Sequence, residues 1–269
     1  MGGLLALILG LATAAGQQLV ARRSRPAEAY HGPAPLILFF LQLALVSSIS
    51  IVLFLLGVDL TTPVGFVGAA VLLLLGYMFV VTIFVVRSGA LSWRDIIRAE
   101  PLDLSRATFD IAIGVSTMFG VAIAAAILGG LIANLLNTTA PDVVPPPQTG
   151  PDIALTALAA GLLVPIGEEV FFRGYAMTAW LRDLGPRAAL IRGTVFFALV
   201  HVLNITTPTF GEGLAQAILE VSVIAPVGFA LGWLYLKRGL IASIGGHAAF
   251  NLIGVLLLTL AQSLPAPGS

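Results

Sequence analysis

The sequence has no cysteine and few charged residues, and each shortage excludes a class of protein. Without cysteine the chain has no disulfide, no thiol nucleophile and no thiolate metal site. Charged residues make up 10% of the 269 residues, against about 25% in an ordinary soluble domain. Lys and Arg balance Asp and Glu, 13 against 13, so no basic surface exists to bind nucleic acid.

Apolar residues take the place of the missing charges. They make up 58% of the chain, and the mean hydropathy is +1.04. Several apolar runs reach the ~20 residues that a helix needs to cross a bilayer, whereas membrane strands would alternate in short segments. We expect an all-α, polytopic membrane protein of about eight transmembrane helices. The predicted spans are 3–21, 35–57, 63–86, 108–136, 152–172, 190–206, 214–236 and 240–262.

The charges of the loops predict the orientation of these spans. If the chain crosses at every span, all 13 Lys and Arg residues fall at or near one side. The opposite loops carry Asp59, Asp142, Asp152 and Glu212. By the positive-inside rule the basic side is cytoplasmic, which places a multi-pass protein in the lipid of the cell membrane with both termini outside.

The beginning of the chain and two polar stretches complete the predicted organisation. Met1-Gly2-Gly3 lacks the basic residues of a signal peptide, so the first run is expected to be a retained span. Residues 90–105 are too polar to span and are typical of an interfacial helix on the cytoplasmic face. Residues 141–150 form a stiff, proline-rich linker. We predict N-terminal transmembrane helices over residues 1–150 and a catalytic helical core over residues 151–262.

Two carboxylates and a guanidinium lie inside an apolar run of that core. In hydrocarbon such groups are costly and usually face a protein interior or a functional cavity. Glu169 and Arg173 are four residues apart, so they can pair on one helix face. Glu168 points elsewhere and has no charge partner in its own segment. A buried carboxylate of this kind can act as a general base, although a salt bridge that orients two helices is the alternative interpretation of the motif.

Two further spans carry polar groups at matching depth. His201 lies three residues before Asn204, and His247 lies four before Asn251, so each pair shares or nearly shares a helix face. Counted from the cytoplasmic ends, Glu168 lies about 6–10 Å deep, His247 about 10 Å and His201 about 15 Å. We therefore expect polar groups from three helices to meet in one leaflet.

A carboxylate and two imidazoles in one place suit two related chemistries. They could activate a water for attack on a carbonyl, or Glu168, His201 and His247 could hold a divalent metal such as zinc that does the same. Asn251 could stabilise an oxyanion or join a ligand shell. The zinc-peptidase motif His-Glu-x-x-His and the nucleophile elbow Gly-x-Ser-x-Gly are both absent. Glu220 is a lone acid in the middle of a span, either neutral and hydrogen-bonded or lining the cavity.

The order and spacing of these motifs resemble a known family. Glu168-Glu169-x-x-x-Arg173, Phe197-x-x-x-His201 and His247-x-x-x-Asn251 are similar to the three signature motifs of the CPBP (Abi) intramembrane proteases. That family includes the type II CAAX prenyl endopeptidases, and the resemblance covers about residues 152–255. It implies an eight-helix type of membrane fold with a peptidase site that opens toward the cytoplasm.

The resemblance also implies roles for the motif residues. Glu168 and His201 would activate the water, and His247 and Asn251 would stabilise the tetrahedral oxyanion. Glu169 and Arg173 would order the site, which agrees with the pairing predicted from their spacing. The family's chemistry is either glutamate-type or metal-assisted, and the sequence leaves both open, so no cofactor beyond a divalent metal is implied.

We expect an intramembrane endopeptidase that hydrolyses a peptide bond near the cytoplasmic membrane face. Its substrate would be a peptide or a membrane-anchored protein. The alternative is a membrane scaffold or immunity factor of the same fold, which would not need Glu168, His201, His247 and Asn251 all intact. A proton- or ion-coupled transporter is a third class, but its charged sites should be scattered along a path through the membrane rather than gathered in one leaflet.

Overall fold

The computed structural model describes residues 16, 29–98, 103–141 and 144–263, and the elements in these ranges are helices. They are α1 (Pro35–Leu55), α2 (Pro63–Val81), α3 (Trp93–Ile97), α4 (Leu104–Leu136), α5 (Gly150–Leu158), α6 (Val164–Glu169), α7 (Thr178–His201), α8 (Phe210–Arg238) and α9 (Leu240–Ser263). Three π-helical stretches, Thr82–Val86, Ala159–Leu163 and Val170–Met177, follow α2, α5 and α6, and a short 3₁₀ turn, Val202–Asn204, follows α7. The predicted span 3–21 lies, apart from Gly16, outside the described residues.

Within the described ranges, six helical stretches are long and apolar enough to cross a membrane. They are Pro35–Leu55, Pro63–Val86, Leu104–Leu136, Gly150–Asn204, Phe210–Arg238 and Leu240–Gln262. The chain is therefore an all-α, multi-pass membrane protein, as the sequence predicted. A total of eight spans is not tested, because the first predicted span is not described.

The predicted spans 152–172 and 190–206 lie in one helical stretch rather than on either side of a loop. That stretch bends at Gly185, whose backbone has φ 78° and ψ 173°. The left-handed φ suits glycine, and Pro186 disfavours a helical conformation at the residue before it and supplies no N–H. A sharp kink thus takes the place of the loop expected between the two spans. On the N-terminal side of the kink, helix continues well past residue 172.

Side chains at the helix starts explain where several helices begin. A helix leaves its first N–H groups without partners, and a polar side chain just before it can accept from one of them. Such caps are present at Thr62 for α2, Ser92 for α3, Asp103 for α4, Thr149 for α5 and Thr209 for α8. Polar residues of the loops thus determine where these helices begin.

In the described part of the polar segment predicted to lie at the interface, residues 90–98 and 103–105, there are the short helix α3 and the first two residues of α4. Ser92 and Asp95 form a reciprocal cap at the start of α3. Asp95 also pairs with Arg182 at 2.7 Å between Oδ1 and Nη2. Burial alone would raise the pKa of Asp95, but hydrogen bonds from Ser92 and the Arg182 guanidinium together hold it below its usual value. The Tyr235 hydroxyl donates to the Ile96 carbonyl at 3.0 Å, so α3 is fastened against α8.

An aromatic core holds the stretch that carries the two glutamates. Phe171 and Phe172 are buried, and their rings pack in edge-on or tilted contact with Phe39 of α1, Tyr77 of α2 and Phe196 of α7. Aromatic pairs of this geometry add to the stability that burial alone supplies. Residues 168–173 are therefore fixed from the side facing α1, α2 and α7, while the remaining face meets α8 and α9.

Candidate active site

Glu169 is the centre of a buried hydrogen-bond network. Its side chain is fully buried, and Oε1 accepts from Arg173 Nη1 at 2.7 Å. The same oxygen lies 2.8 Å from His247 Nδ1, and Oε2 accepts from the hydroxyl of Ser243. The i, i+4 pair predicted from the sequence is thus present, and it also holds two residues of α9.

Arg173 connects this network to two more helices. Its Nη2 donates to the Gly228 carbonyl of α8 at 3.3 Å. Its guanidinium lies over the Phe197 ring of α7, with Cζ 3.9 Å from the centroid. A buried guanidinium is stable only where its charge and its N–H groups find partners, and a carboxylate, a carbonyl and an aromatic face together provide them.

His247 lies between the two glutamates. An ionised carboxylate only accepts hydrogen bonds, so the Nδ1 that faces Glu169 carries the proton. The other ring nitrogen, Nε2, faces Glu168 at 3.8 Å from Oε2. That distance is too long for a direct hydrogen bond and is suited to a bridging water. Glu168, which lacks a partner in its own segment, therefore has an imidazole from α9 as its neighbour.

His201 and Asn251 are each anchored by one hydrogen bond. The Nδ1 of His201 lies 2.7 Å from the Phe197 carbonyl, which accepts its proton, so in the neutral ring Nε2 is the basic nitrogen. The Asn251 amide donates to the Ala160 carbonyl at 2.8 Å. Ala160 lies in a π-helical stretch, a geometry that is frequent at functional sites. An amide has two N–H groups, so one donor of Asn251 remains for another partner.

The four predicted catalytic residues line a single cavity of about 640 Å³: Glu168, His201, His247 and Asn251. Asn204 and Glu220 contribute further polar groups to its wall, and the rest of the lining is mostly aliphatic. Glu169 and Arg173 do not reach the cavity, because they lie behind His247 in the packed interior. The structure thus separates residues that could touch a ligand from residues that position them.

The cavity extends from these groups toward one end of the helices. Its lining includes Ala140 and Val144 of the linker region and Leu258 near the end of α9. The basic residues that pair or stack around α3 are at the other end, where Gly174 packs against Ile96. Six residues, about 9 Å along the helix axis, separate Glu168 from Gly174. Glu168 therefore lies close to the basic end, in agreement with the depth predicted from the sequence. That the site opens to the cytoplasm stays a prediction. The depth of Glu168 supports this prediction, but the cavity extends toward the opposite, linker end.

The residues present form only part of the metal site considered from the sequence. The 3.8 Å between His247 Nε2 and Glu168 Oε2 would allow both atoms to reach one ion about 2.0–2.2 Å from each. Among the residues that the structure describes, however, no group of three or more His, Cys, Asp or Glu residues could hold a metal ion. A zinc site of Glu168, His201 and His247 stays an untested prediction.

Sequence reasoning missed Ser243. Its hydroxyl donates to Glu169 and also lies 3.2 Å from the Leu231 carbonyl oxygen, and its side chain is fully buried. A signal existed, because Ser243, His247 and Asn251 succeed one another at intervals of four and so share one face of α9. The contact to Glu169 itself could not be read from this spacing, since the partner lies on another helix.

Small residues let α9 approach α4 and so set the position of His247. A Cβ on Gly114 of α4 would lie 2.2 Å from the Ala242 carbonyl oxygen. A Cβ on Gly246 would lie 3.1 Å from the Gly114 carbonyl oxygen. Close approach through small residues is typical of helix pairs in membranes. His247, which follows Gly246, is thereby held at the wall of the cavity.

Fold and site together define a multi-pass membrane protein with a carboxylate and imidazole cluster on the wall of an intramembrane cavity. Residues 150–253 match the model of the family described as type II CAAX prenyl endopeptidase Rce1-like, which confirms the resemblance inferred from the motifs. The match covers less than half of the chain and includes all the motif residues. The match supports the interpretation of this protein as a peptidase. No curated protein matches the chain, and no solved structure matches it.

Proposed function

We propose that this protein is an intramembrane endopeptidase in which Glu168 and His201 activate a water molecule. The observation that carries the proposal is the shared cavity. Glu168 of α6, His201 of α7, and His247 and Asn251 of α9 all line it. A scaffold would have no use for a cavity wall that gathers these groups. The match of residues 150–253 to a family of endopeptidases supports the same conclusion.

The proposed reaction is hydrolysis of an amide. Glu168 takes a proton from the water while its oxygen attacks the scissile carbonyl carbon, and the neutral Nε2 of His201 accepts a hydrogen bond from the same water. When the tetrahedral intermediate collapses, the C–N bond breaks and Glu168 returns the proton to the leaving nitrogen. The products are a carboxylic acid and an amine, which become a carboxylate and an ammonium group when the acid proton passes to the amine, and no further reactant is needed.

His247 and Asn251 would stabilise the oxyanion of that intermediate. With its Nδ1–H held by Glu169, a protonated His247 directs its Nε2–H into the cavity. The free N–H of Asn251 supplies a second donor. Donors that are fixed before the reaction stabilise developing charge without the cost of reorganisation. Glu169, Arg173 and Ser243 act here as positioning residues.

The substrate that fits this site is a peptide or a membrane-anchored protein. The cavity wall is largely aliphatic, which suits an apolar or lipid-attached segment. We propose that the scissile bond lies in the half of the membrane nearer α3, which is the cytoplasmic half if the basic end faces the cytoplasm.

Cleavage of a quenched fluorescent library of membrane peptides by the purified protein in detergent tests this proposal. Glu168→Gln and His201→Ala should each lower kcat/KM by about 10²–10⁴-fold, because the first removes the base that takes the proton and the second removes the nitrogen that accepts a hydrogen bond from the same water. Adding a chelator to each assay tests the metal-assisted route separately.

Glu212→Gln is the matched control, since Glu212 is an exposed acid in the first turn of α8, away from the cavity. It should cleave at the wild-type rate. If Glu168→Gln cleaves as fast as this control, the assignment of the catalytic base is wrong. If wild type and both site variants are all inactive while folded, the scaffold becomes the better interpretation.

A further inference from the structure

Glu220 is the acid that the proposed reaction does not use. It lies on α8 and lines the same cavity as Glu168. Its side chain makes no hydrogen bond or ion pair with any residue in the described ranges. The sequence left two interpretations of Glu220 open. The structure shows that it lines the cavity, and no described residue is a hydrogen-bond partner for it as a neutral carboxyl. An unpartnered carboxylate inside a membrane span is costly and is usually functional.

The wall around Glu220 leaves room for a ligand and provides no lysine or arginine that could pair with the Glu220 carboxylate. The other residues of α8 that line the cavity, Leu219, Val223 and Ile224, are apolar. The facing side of α4 presents a run of small residues to the cavity: Ala122, Ala125, Ala126, Gly129, Gly130 and Ala133. None of the described lining residues is Lys or Arg. Glu168 and Glu220 are the two acids of that lining, and the His247 that the proposed reaction protonates lies beside Glu168, so the carboxylate left to favour a cationic ligand is that of Glu220.

The position of Glu220 along the helices relates it to the scissile bond. Arg173 bonds to the Gly228 carbonyl, and Met177 lies beside Gly232, so the two helical stretches run in register with a constant offset. With that offset Glu220 lies about 5 Å farther than Glu168 toward the linker end. An extended peptide advances about 3.3 Å per residue, so this separation along the cavity corresponds to one or two residues.

We propose that Glu220 is a specificity residue that binds a lysine or arginine side chain of the substrate, one or two residues from the scissile bond. This inference rests on the proposed peptidase function. The lysine or arginine side chain of the substrate would pair with the Glu220 carboxylate. The apolar surroundings of Glu220 have a low dielectric constant, in which a charge-assisted hydrogen bond is strong. An apolar segment that carries one basic residue is the substrate class that fits the wall.

Matched peptides test the inference directly. One series carries lysine at successive positions on each side of the scissile bond, and the other carries norleucine, which lacks only the ammonium group. Wild type should cleave the lysine peptide at the correct position roughly tenfold or more faster in kcat/KM than its norleucine partner. Glu220→Gln should bring that ratio close to one, and Glu220→Lys should favour a glutamate peptide instead. Glu212→Gln should keep the wild-type ratio.

Binding of the same peptides to the Glu168→Gln variant separates this inference from the proposed function. Fluorescence anisotropy should show tighter binding of lysine than of norleucine, and a second substitution, Glu220→Gln, should remove the difference. Equal binding of both peptides, or a preference that survives Glu220→Gln, overturns the role of Glu220. Undiminished cleavage by Glu168→Gln overturns the proposed mechanism instead and leaves the binding comparison valid.

Discussion

Glu169 illustrates how one buried side chain can serve three partners. Its two oxygens accept from Arg173, His247 and Ser243, and nothing of the side chain is exposed. Taking such a charge out of water is costly, and the attraction within the network offsets that cost only while every partner remains. The contribution of Glu169 is therefore best measured by its removal.

We expect Glu169→Ala to destabilise the protein by about 3–5 kcal/mol, because it leaves the Arg173 guanidinium buried without its carboxylate. The free energy of unfolding in mixed detergent micelles checks this. Glu169→Gln keeps the volume but not the charge, so it should also be destabilising. Glu212→Ala is the control, and it should cost far less because Glu212 is exposed. A Glu169→Ala variant as stable as this control would contradict the network.

At the scale of elements, the crossing of α4 and α9 decides where His247 lies. A Cβ on Gly114 would collide with the backbone of α9, whereas a Cβ on Gly120 of the same helix would have no other atom within 4 Å. Backbone atoms cannot move aside as a side-chain tip can, so a methyl group at Gly114 would push the two helices apart. Gly120 thus supplies a matched comparison within one helix.

Gly114→Ala should lower stability by about 1–3 kcal/mol through overpacking, and it should also lower kcat by moving His247. Gly120→Ala should be neutral or mildly stabilising, because alanine favours helix over glycine and meets no obstacle. Thermal unfolding and peptide cleavage of the two purified variants provide the readouts. Equal behaviour of the two would show that the close approach at Gly114 does not matter.

At the scale of the whole molecule, the absence of cysteine makes the orientation directly measurable. A single cysteine introduced at an exposed position is then the only thiol in the chain. Gln148 lies in the linker at one end of the helices, and Ala188 lies near the start of the second part of α7 at the basic end; both are exposed. The positive-inside rule predicts that only the linker end faces the outside of the cell.

A membrane-impermeant maleimide applied to intact cells should label Gln148→Cys and should label Ala188→Cys only after permeabilisation. Labelling after solubilisation in detergent checks that both thiols can react. The opposite pattern would reverse the orientation, and it would then place the linker end of the cavity at the cytoplasm.

The sequence predicted local features well because they depend on neighbours along one helix. The pairing of Glu169 with Arg173 follows from a spacing of four residues, and the structure contains it at 2.7 Å. The apolar spans follow from hydropathy, and those within the described ranges are helical. The sequence did not predict that helix continues past residue 172 to a break at Gly185 and Pro186, where backbone chemistry rather than hydropathy ends the helical conformation.

By itself, the sequence determined that this is a helical membrane protein and which family its C-terminal half resembles, and it predicted the candidate catalytic residues. Only the tertiary structure decided that Glu169 holds His247, that Ser243 joins them, and that Glu220 shares a cavity with Glu168. Periodicity places a side chain on a face of its own helix. Which faces meet depends on the packing of α4, α8 and α9, through close approaches between residues far apart in the chain.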